Sequence, residues 1–407
     1  MADRSERTGL AHVATVSFLG SRAAPSGPFW LALPGGVALA RVAARLGLRS
    51  GYGASAAAIL QTVAVMGPAR INNPLTQAMT APLLGRMEGR GRPAWLQVAA
   101  CFGLRFVHYM VLSAIYIWVV LGGLDAFTGS YETLTGWLGF VPQGEYAAVF
   151  LAVAGNLAWA AIYSTIQVLV YRRALRAWPA GAGVAAHAPP GGPDEWRRRG
   201  RFDPRAVAVA ATLATILLLS GTSWPLLAGV AVWLALAWAF SRADSGAVAL
   251  GAGLGAMLAV SALTGSLLAG LGLDQALRRA MRAALLVAVA TWLRAAAGPE
   301  GLREVFRRGL RHLRRLPGAP EASSTLDGLD HGPRLIAAAR ALAAALAPVE
   351  KKPAPIADAV TEWVAGEAAG FRAEVDGARP RLRLRSLDRV LVGLALLPAL
   401  ALLSPLT

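Results

Sequence analysis

Residues 94–121 read AWLQVAACFGLRFVHYMVLSAIYIWVVL. Arg105 is the one charged side chain in this stretch, and it shares the stretch with a single histidine, His108. A helix crosses a hydrocarbon core with about 20 apolar residues. Lipid offers no partner to a bare peptide group, so a segment of this length predicts a membrane helix. Tyr116 and Trp118 near its end suit a membrane interface.

The same pattern recurs on both sides. Strong apolar runs lie at 146–171, 206–220, 224–240, 247–271, 280–297 and 391–403, with weaker ones at 29–46 and 51–67. The segment 72–84, broken by Pro74 and Pro82, reads as re-entrant or as a short broken helix. Composition agrees with the pattern. Of 407 residues, 56% are hydrophobic and 15% are charged, against about 25% charged in ordinary soluble domains. Mean hydropathy is +0.49, yet the formal net charge is +17. These values argue against a soluble enzyme, a disordered chain or a disulfide-rich secreted module. The polar opening MADRSERTGL is followed by no cleavable signal peptide. The expected fold is all-α and polytopic, in the inner or plasma membrane.

The excess charge is arginine, gathered in blocks around residues 86–92, 172–205, 303–315 and 379–389. Basic blocks flanking spans follow the positive-inside rule. That rule places 172–205 and 298–389 in the cytoplasm. It places the acidic 125–145 loop, the 221–225 turn and the C-terminus outside. Arg278, Arg279 and Arg282 then fall at the outer end of a span, where snorkelling stems would keep their heads at the interface. No aromatic stacking pattern accompanies the arginines, so nucleic acid is not an expected partner. The Pro- and Gly-rich stretch 174–204 reads as a cytoplasmic linker. It separates an N-terminal membrane domain, 1–173, with about five or six hydrophobic segments, from a second domain, 205–407. Within the latter, 298–389 is a platform of amphipathic helices with Leu302, Phe306, Leu310, Leu335, Leu342 and Leu346 at helical spacing.

From Phe202 to Pro405 the order of features resembles the transmembrane T component of energy-coupling factor transporters, the cobalt-type permease family. The features are the Asp203-Pro204 start, the Gly-led basic segment 272–282, Thr291-Trp292-Leu293 before Pro299-Glu300-Gly301-Leu302, and the Pro317-Gly318 turn. Two amphipathic helices, Asp388 and a closing span follow. In that family each amphipathic helix carries an Ala-Arg-Gly-type motif whose arginine docks into a cytoplasmic ATPase. The resemblance assigns that role to Arg340, in Ala339-Arg340-Ala341, and to Arg372, in Gly370-Phe371-Arg372-Ala373. In neither does a glycine follow the arginine. The resemblance implies a subunit for uptake of a small molecule, of the vitamin or metal-ion class, driven by separate ATP-binding-cassette ATPase subunits. The domain 1–173 resembles a substrate-binding S component in size. Ala54 and Ala58, four apart, would let a helix approach closely.

Polar residues within spans are costly and mark sites or helix junctions. Arg105 and His108 lie three apart, on one helix face. Together with Asn156, Gln167, Asn72 and Asn73 they form a candidate binding site for a polar or anionic small molecule. Helix-to-helix hydrogen bonding is the competing reading of the same residues. The five histidines include no pair at i, i+4, and Cys101 is the sole cysteine, so no metal is expected. No Gly-x-x-x-x-Gly-Lys-[Ser/Thr], Gly-x-Ser-x-Gly or His-Glu-x-x-His motif is present, so neither a catalytic residue nor a cofactor is expected. The glycines at 251–255 sit in a span and read as helix-packing positions. Two other readings stay open. One is a membrane scaffold that recruits a cytoplasmic partner through the platform. The other is a membrane enzyme with Arg105 and His108 at its centre.

Overall fold

A computed structural model describes residues 2–23, 27–68, 71–136, 138–139, 144–178, 202–241, 245–329, 333–371 and 384–402. Among the described residues all regular structure is helical. Five helices are long and apolar enough to cross a membrane: Pro28–Met66, Ala94–Leu121, Tyr146–Arg176, Gly251–Leu268 and Leu273–His312. The protein is an all-α polytopic membrane protein. Two shorter apolar helices, Pro204–Ser220 and Trp224–Phe240, accompany them.

The helices gather into two compact units that interleave along the sequence, whereas patterning alone suggests two consecutive domains. The first comprises Met1–Phe106, Ala160–Arg198 and Leu302–Arg381. The second comprises Val107–Trp159, Arg199–Gly301 and Leu382–Thr407. Most of the 174–204 stretch lies outside the described residues, but its start does not: Ala174 is buried within a helix that runs to Arg176.

The first unit is built around α1 (Ala2–Ala23), formed by the polar N-terminal stretch. Residues 8–22 of α1 are all buried. Its polar side chains are absorbed locally: the Thr8 and Thr15 hydroxyls donate to the carbonyls of Arg4 and Ala11, one turn back. The next helix, α2 (Pro28–Met66), returns along α1. Within it the two candidate spans 29–46 and 51–67 are separate helical arms joined at Gly47, whose φ of 87° breaks the helical geometry, and Gly51 of the second arm packs against Ala43 of the first. Arg22 on α1 donates to the terminal carbonyls of α2, Gly67 at 2.6 Å and Met66 at 3.2 Å, where a helix presents unpaired acceptors and negative potential.

A continuous helix replaces the broken segment expected at 72–84. It is α3 (Asn72–Gly89), which carries Pro82 inside it. It meets α2 backbone to backbone, since a Cβ on Gly85 would lie 1.9 Å from the Ala40 carbonyl oxygen. The amphipathic platform is present as α11 (Ala319–Gly328), α12 (Pro333–Leu346) and α13 (Pro353–Gly370). Their apolar faces close the core over α1 and α2, with Leu326, Leu342, Leu346, Ile356, Val360 and Val364 fully or nearly fully buried. Each such side chain contributes about 1.5–3 kcal/mol. Ala54 and Ala58 are buried in this same core, and neighbouring Gly53 lets α11 approach α2 at Glu321.

The second unit holds the ends of α4 (Ala94–Ile115) and α6 (Glu145–Arg176) that lie beyond the first. It adds α5 (Leu124–Thr135), α7 (Pro204–Ser220), α8 (Trp224–Phe240) and α9 (Ser245–Leu268). Most of α10 (Leu273–His312) and α14 (Ser386–Leu396) complete it. Asp388 ties two helix starts together, accepting from the backbone N–H of Asp203 at 2.8 Å and of Arg385 at 2.6 Å. Trp292, fully buried, packs edge-on against Trp233 and donates to Ser241. Of the glycines at 251–255, Gly251 serves packing, since a Cβ there would strike Thr291, while Gly253 faces open space. The outer surface is apolar, with Trp118 65%, Phe150 69%, Val232 60% and Val260 60% exposed. Such a surface is stable against lipid and not against water.

Candidate functional site

Three helices of the first unit bring polar side chains into one apolar interior. On α3 they are Gln77 and Thr80, three apart. On α4 they are Cys101 and Arg105, and on α6 Gln167 and Tyr171, each pair four apart and so on one face. Gln167 is the hub. Its carbonyl oxygen accepts from Arg105 and, at 3.3 Å, from the Cys101 thiol. Its amide donates to the Thr80 hydroxyl at 2.8 Å. One turn on, the Tyr171 hydroxyl donates to Gln77. Arg105 is 1% exposed, and its guanidinium lies 5.8 Å from the Phe29 ring centre and 5.9 Å from that of Tyr163. Both rings present faces that attract a cation. Tyr171 reaches in because α2 has a glycine there: a Cβ on Gly36 would lie 1.4 Å from the Tyr171 oxygen.

Of the expected binding residues, the structure joins Arg105 to Gln167. Asn72 and Asn73 sit in the first turn of α3, Asn72 exposed, five and four residues before Gln77. His108 and Asn156 belong to the second unit. Thr80, Cys101 and Tyr171 complete the centre, although patterning did not single them out. Their signal was the shared 3- and 4-residue spacing with Gln77, Arg105 and Gln167.

In the second unit Asn156 donates to the Ser113 hydroxyl at 2.9 Å. Ser113 lines a groove of about 250 Å³ with Leu112, Tyr116, Ile117, Phe127 and Ala152. The last turn of this helix, Tyr116–Leu121, is a π-helix. A helix end leaves its last carbonyls without intrahelical partners, and here guanidinia take them. Arg279 donates to the carbonyls of Leu121 and Gly122, and Arg282 to that of Val119. This corrects the snorkelling assignment, because Arg282 is 8% exposed and turned into the protein. Arg278 pairs with Asp274.

The platform offers a third site. Helix α12 seats on α1 where a Cβ on Gly20 would lie 3.3 Å from the Ala339 carbonyl oxygen. Leu335, Ala339, Leu342 and Leu346 are buried on that side. Arg340 stands on the opposite side, exposed, with exposed Ala337, Ala341 and Ala344 around it. Phe371 is buried and stacks on His12 at 4.5 Å, while Arg372 lies outside the described residues. On α13, exposed Asp358 accepts two hydrogen bonds from Arg173 of α6, at 2.7 and 2.8 Å. That guanidinium holds the Asp358 carboxyl below its usual range. Among the described residues no cluster of His, Cys, Asp and Glu is placed to hold a metal ion.

No protein-family model matches this chain, and no curated protein or solved structure is significantly similar to it.

Proposed function

We propose that this chain is the membrane-embedded subunit of a small-molecule transporter driven by a separate cytoplasmic ATPase of the ATP-binding-cassette type. The observation that carries this reading is the two-sided character of α12. One side is anchored on α1 by Leu335, Leu342 and Leu346. The other offers a lone guanidinium on a low alanine surface. A planar, permanently charged donor on such a surface suits insertion into a partner's groove lined by carboxylate or carbonyl oxygens. Movement of the ATPase would then pass through α12 to α1 at the Gly20–Ala339 seat. On this reading the platform faces the cytoplasm of a cell membrane and the apolar surface of the second unit faces lipid. The order of features shared with T components supports the same role. Purification of the tagged protein from its own host tests it. The wild type recovers an ATP-binding-cassette ATPase, and Arg340→Glu does not.

A second reading, a membrane scaffold without transport, draws on the Arg105–Gln167 centre. Those side chains bond one another, which suits a helix junction better than an open ligand site. A folded, membrane-inserted protein that recruits a partner but supports no uptake would favour it.

A further inference from the structure

The arginines between 303 and 315 sort into two sets. The three nearer the apolar part of α10 are engaged inside the first unit. Arg303 donates to the Leu326 carbonyl, Arg307 pairs with Glu304 and Asp327, and Arg308 pairs with Glu304 at 2.8 Å. The three farther along, Arg311, Arg314 and Arg315, are exposed, and none has a carboxylate within ion-pair distance among the described residues. No acidic residue occurs from 305 to 320.

Two leucines interleave with these free arginines. Leu313 is 51% exposed and Leu316 54%. In the first unit, α4 and α6 expose Trp95, Ile162 and Leu169. Away from α4 and α6, its exposed large apolar residues are Tyr52, Leu313 and Leu316, among the described residues. The turn that carries them is fixed by backbone bonds: Leu313 N–H to Gly309, Leu316 N–H to Leu313, and Ala319 N–H to Leu316. Gly298, with φ 69°, breaks the helical geometry of α10, so these residues end a helical arm of their own. The result is a preformed hook, Arg311-His312-Leu313-Arg314-Arg315-Leu316, at the end of the helical arm that follows Gly298.

We propose that this hook docks on an anionic phospholipid surface, Arg311, Arg314 and Arg315 binding headgroup phosphates while Leu313 and Leu316 enter the acyl boundary. Three considerations select lipid over an acidic protein. The positive charge is undiluted by acids. Leucines at three-residue spacing between arginines give the wedge an interface rewards. The hook also follows, in sequence, the apolar run 280–297. Each basic residue near an anionic bilayer adds attraction that falls off within a Debye length, so the docking is sensitive to salt.

The test uses the full-length protein carrying Leu313→Cys labelled with an environment-sensitive dye; the native Cys101 is buried and resists labelling. The protein is reconstituted into nanodiscs of phosphatidylcholine alone, or of phosphatidylcholine with phosphatidylglycerol. The proposal predicts blue-shifted emission only with phosphatidylglycerol, reversed by high salt. Arg311→Ser/Arg314→Ser/Arg315→Ser lowers the ratio of docked to undocked hook on the order of a hundredfold, with unfolding temperature unchanged because these side chains are exposed. Inorganic phosphate added to phosphatidylcholine nanodiscs leaves the emission unshifted. Equal emission in both lipids, a shift that survives the triple substitution, or a photo-reactive residue at position 316 that captures a protein and no phospholipid would each overturn it.

Discussion

The Ser17 hydroxyl is inserted into the backbone ladder of the neighbouring helix at Gly35. Its oxygen accepts from the Gly35 N–H at 2.8 Å and donates to the Leu31 carbonyl at 2.5 Å, bridging the pair that a regular helix would join directly. Pro34 lies beside this break, and a side chain inserted next to a proline is a recognised cause of helix bending. Ser17→Ala leaves a buried donor and acceptor unmade. The expected cost is about 1–3 kcal/mol, read as a lower unfolding temperature in detergent and faster hydrogen exchange around residue 35.

Gly36 and Tyr171 are matched in the same way. Gly36→Ala sets a methyl group against the ring and is expected to cost about 3 kcal/mol, whereas Tyr171→Phe loses one hydrogen bond at about 1 kcal/mol. Removal of the ring removes the clash, so Gly36→Ala costs much less in a Tyr171→Ala background than alone. A double-mutant cycle on unfolding free energies checks this.

Gln167 holds the buried centre together through Arg105, Thr80 and Cys101. Gln167→Met keeps the volume and strips these partners of a shared acceptor and donor. A loss of about 2 kcal/mol or more is expected, larger than that of Cys101→Ala. Unfolding curves of the two variants decide the order.

The Arg173–Asp358 pair predicts a pH dependence with a defined sign. The carboxyl titrates below its usual value in the folded protein, so folding favours its ionised form. Its contribution is therefore fully present above the unfolded value of about 3.9 and fades as pH falls through the depressed folded value. The stability difference between wild type and Asp358→Asn, followed by thermal unfolding from pH 7 downward, is constant to about that point and then closes. The pair is solvent-exposed, so the difference is small and shrinks with salt.

The helical membrane class was legible from apolar runs alone, because lipid allows few other solutions. Helix α1 was not. Mean hydropathy penalises Thr8, His12, Thr15, Ser17, Ser21 and Arg22, yet these side chains bond local carbonyls, neighbouring helix ends or aromatic partners and stay buried. The platform's leucines at helical spacing did foretell an apolar face, but patterning does not name the surface that covers it, here α1 and α2. Arg105 and Gln167 were legible as costly intramembrane polar groups. His108 shares a helix face with Arg105 in sequence but falls in the other unit, and spacing along one helix carries no information about that division. The arginines at 279 and 282 look misplaced by charge counting. Their partners are the terminal carbonyls of another helix, and charge counting does not show which helix end a guanidinium reaches.

Cross-linking from position 340 tests the central claim most directly. A photo-reactive amino acid in place of Arg340, activated in cells of the natural host, is predicted to capture an ATP-binding-cassette ATPase, with a yield that changes when nucleotide hydrolysis is blocked. The same amino acid at Leu342, on the buried side, captures none. Absence of any such ATPase from the 340 products, or equal capture from both positions, would contradict a coupling role for α12.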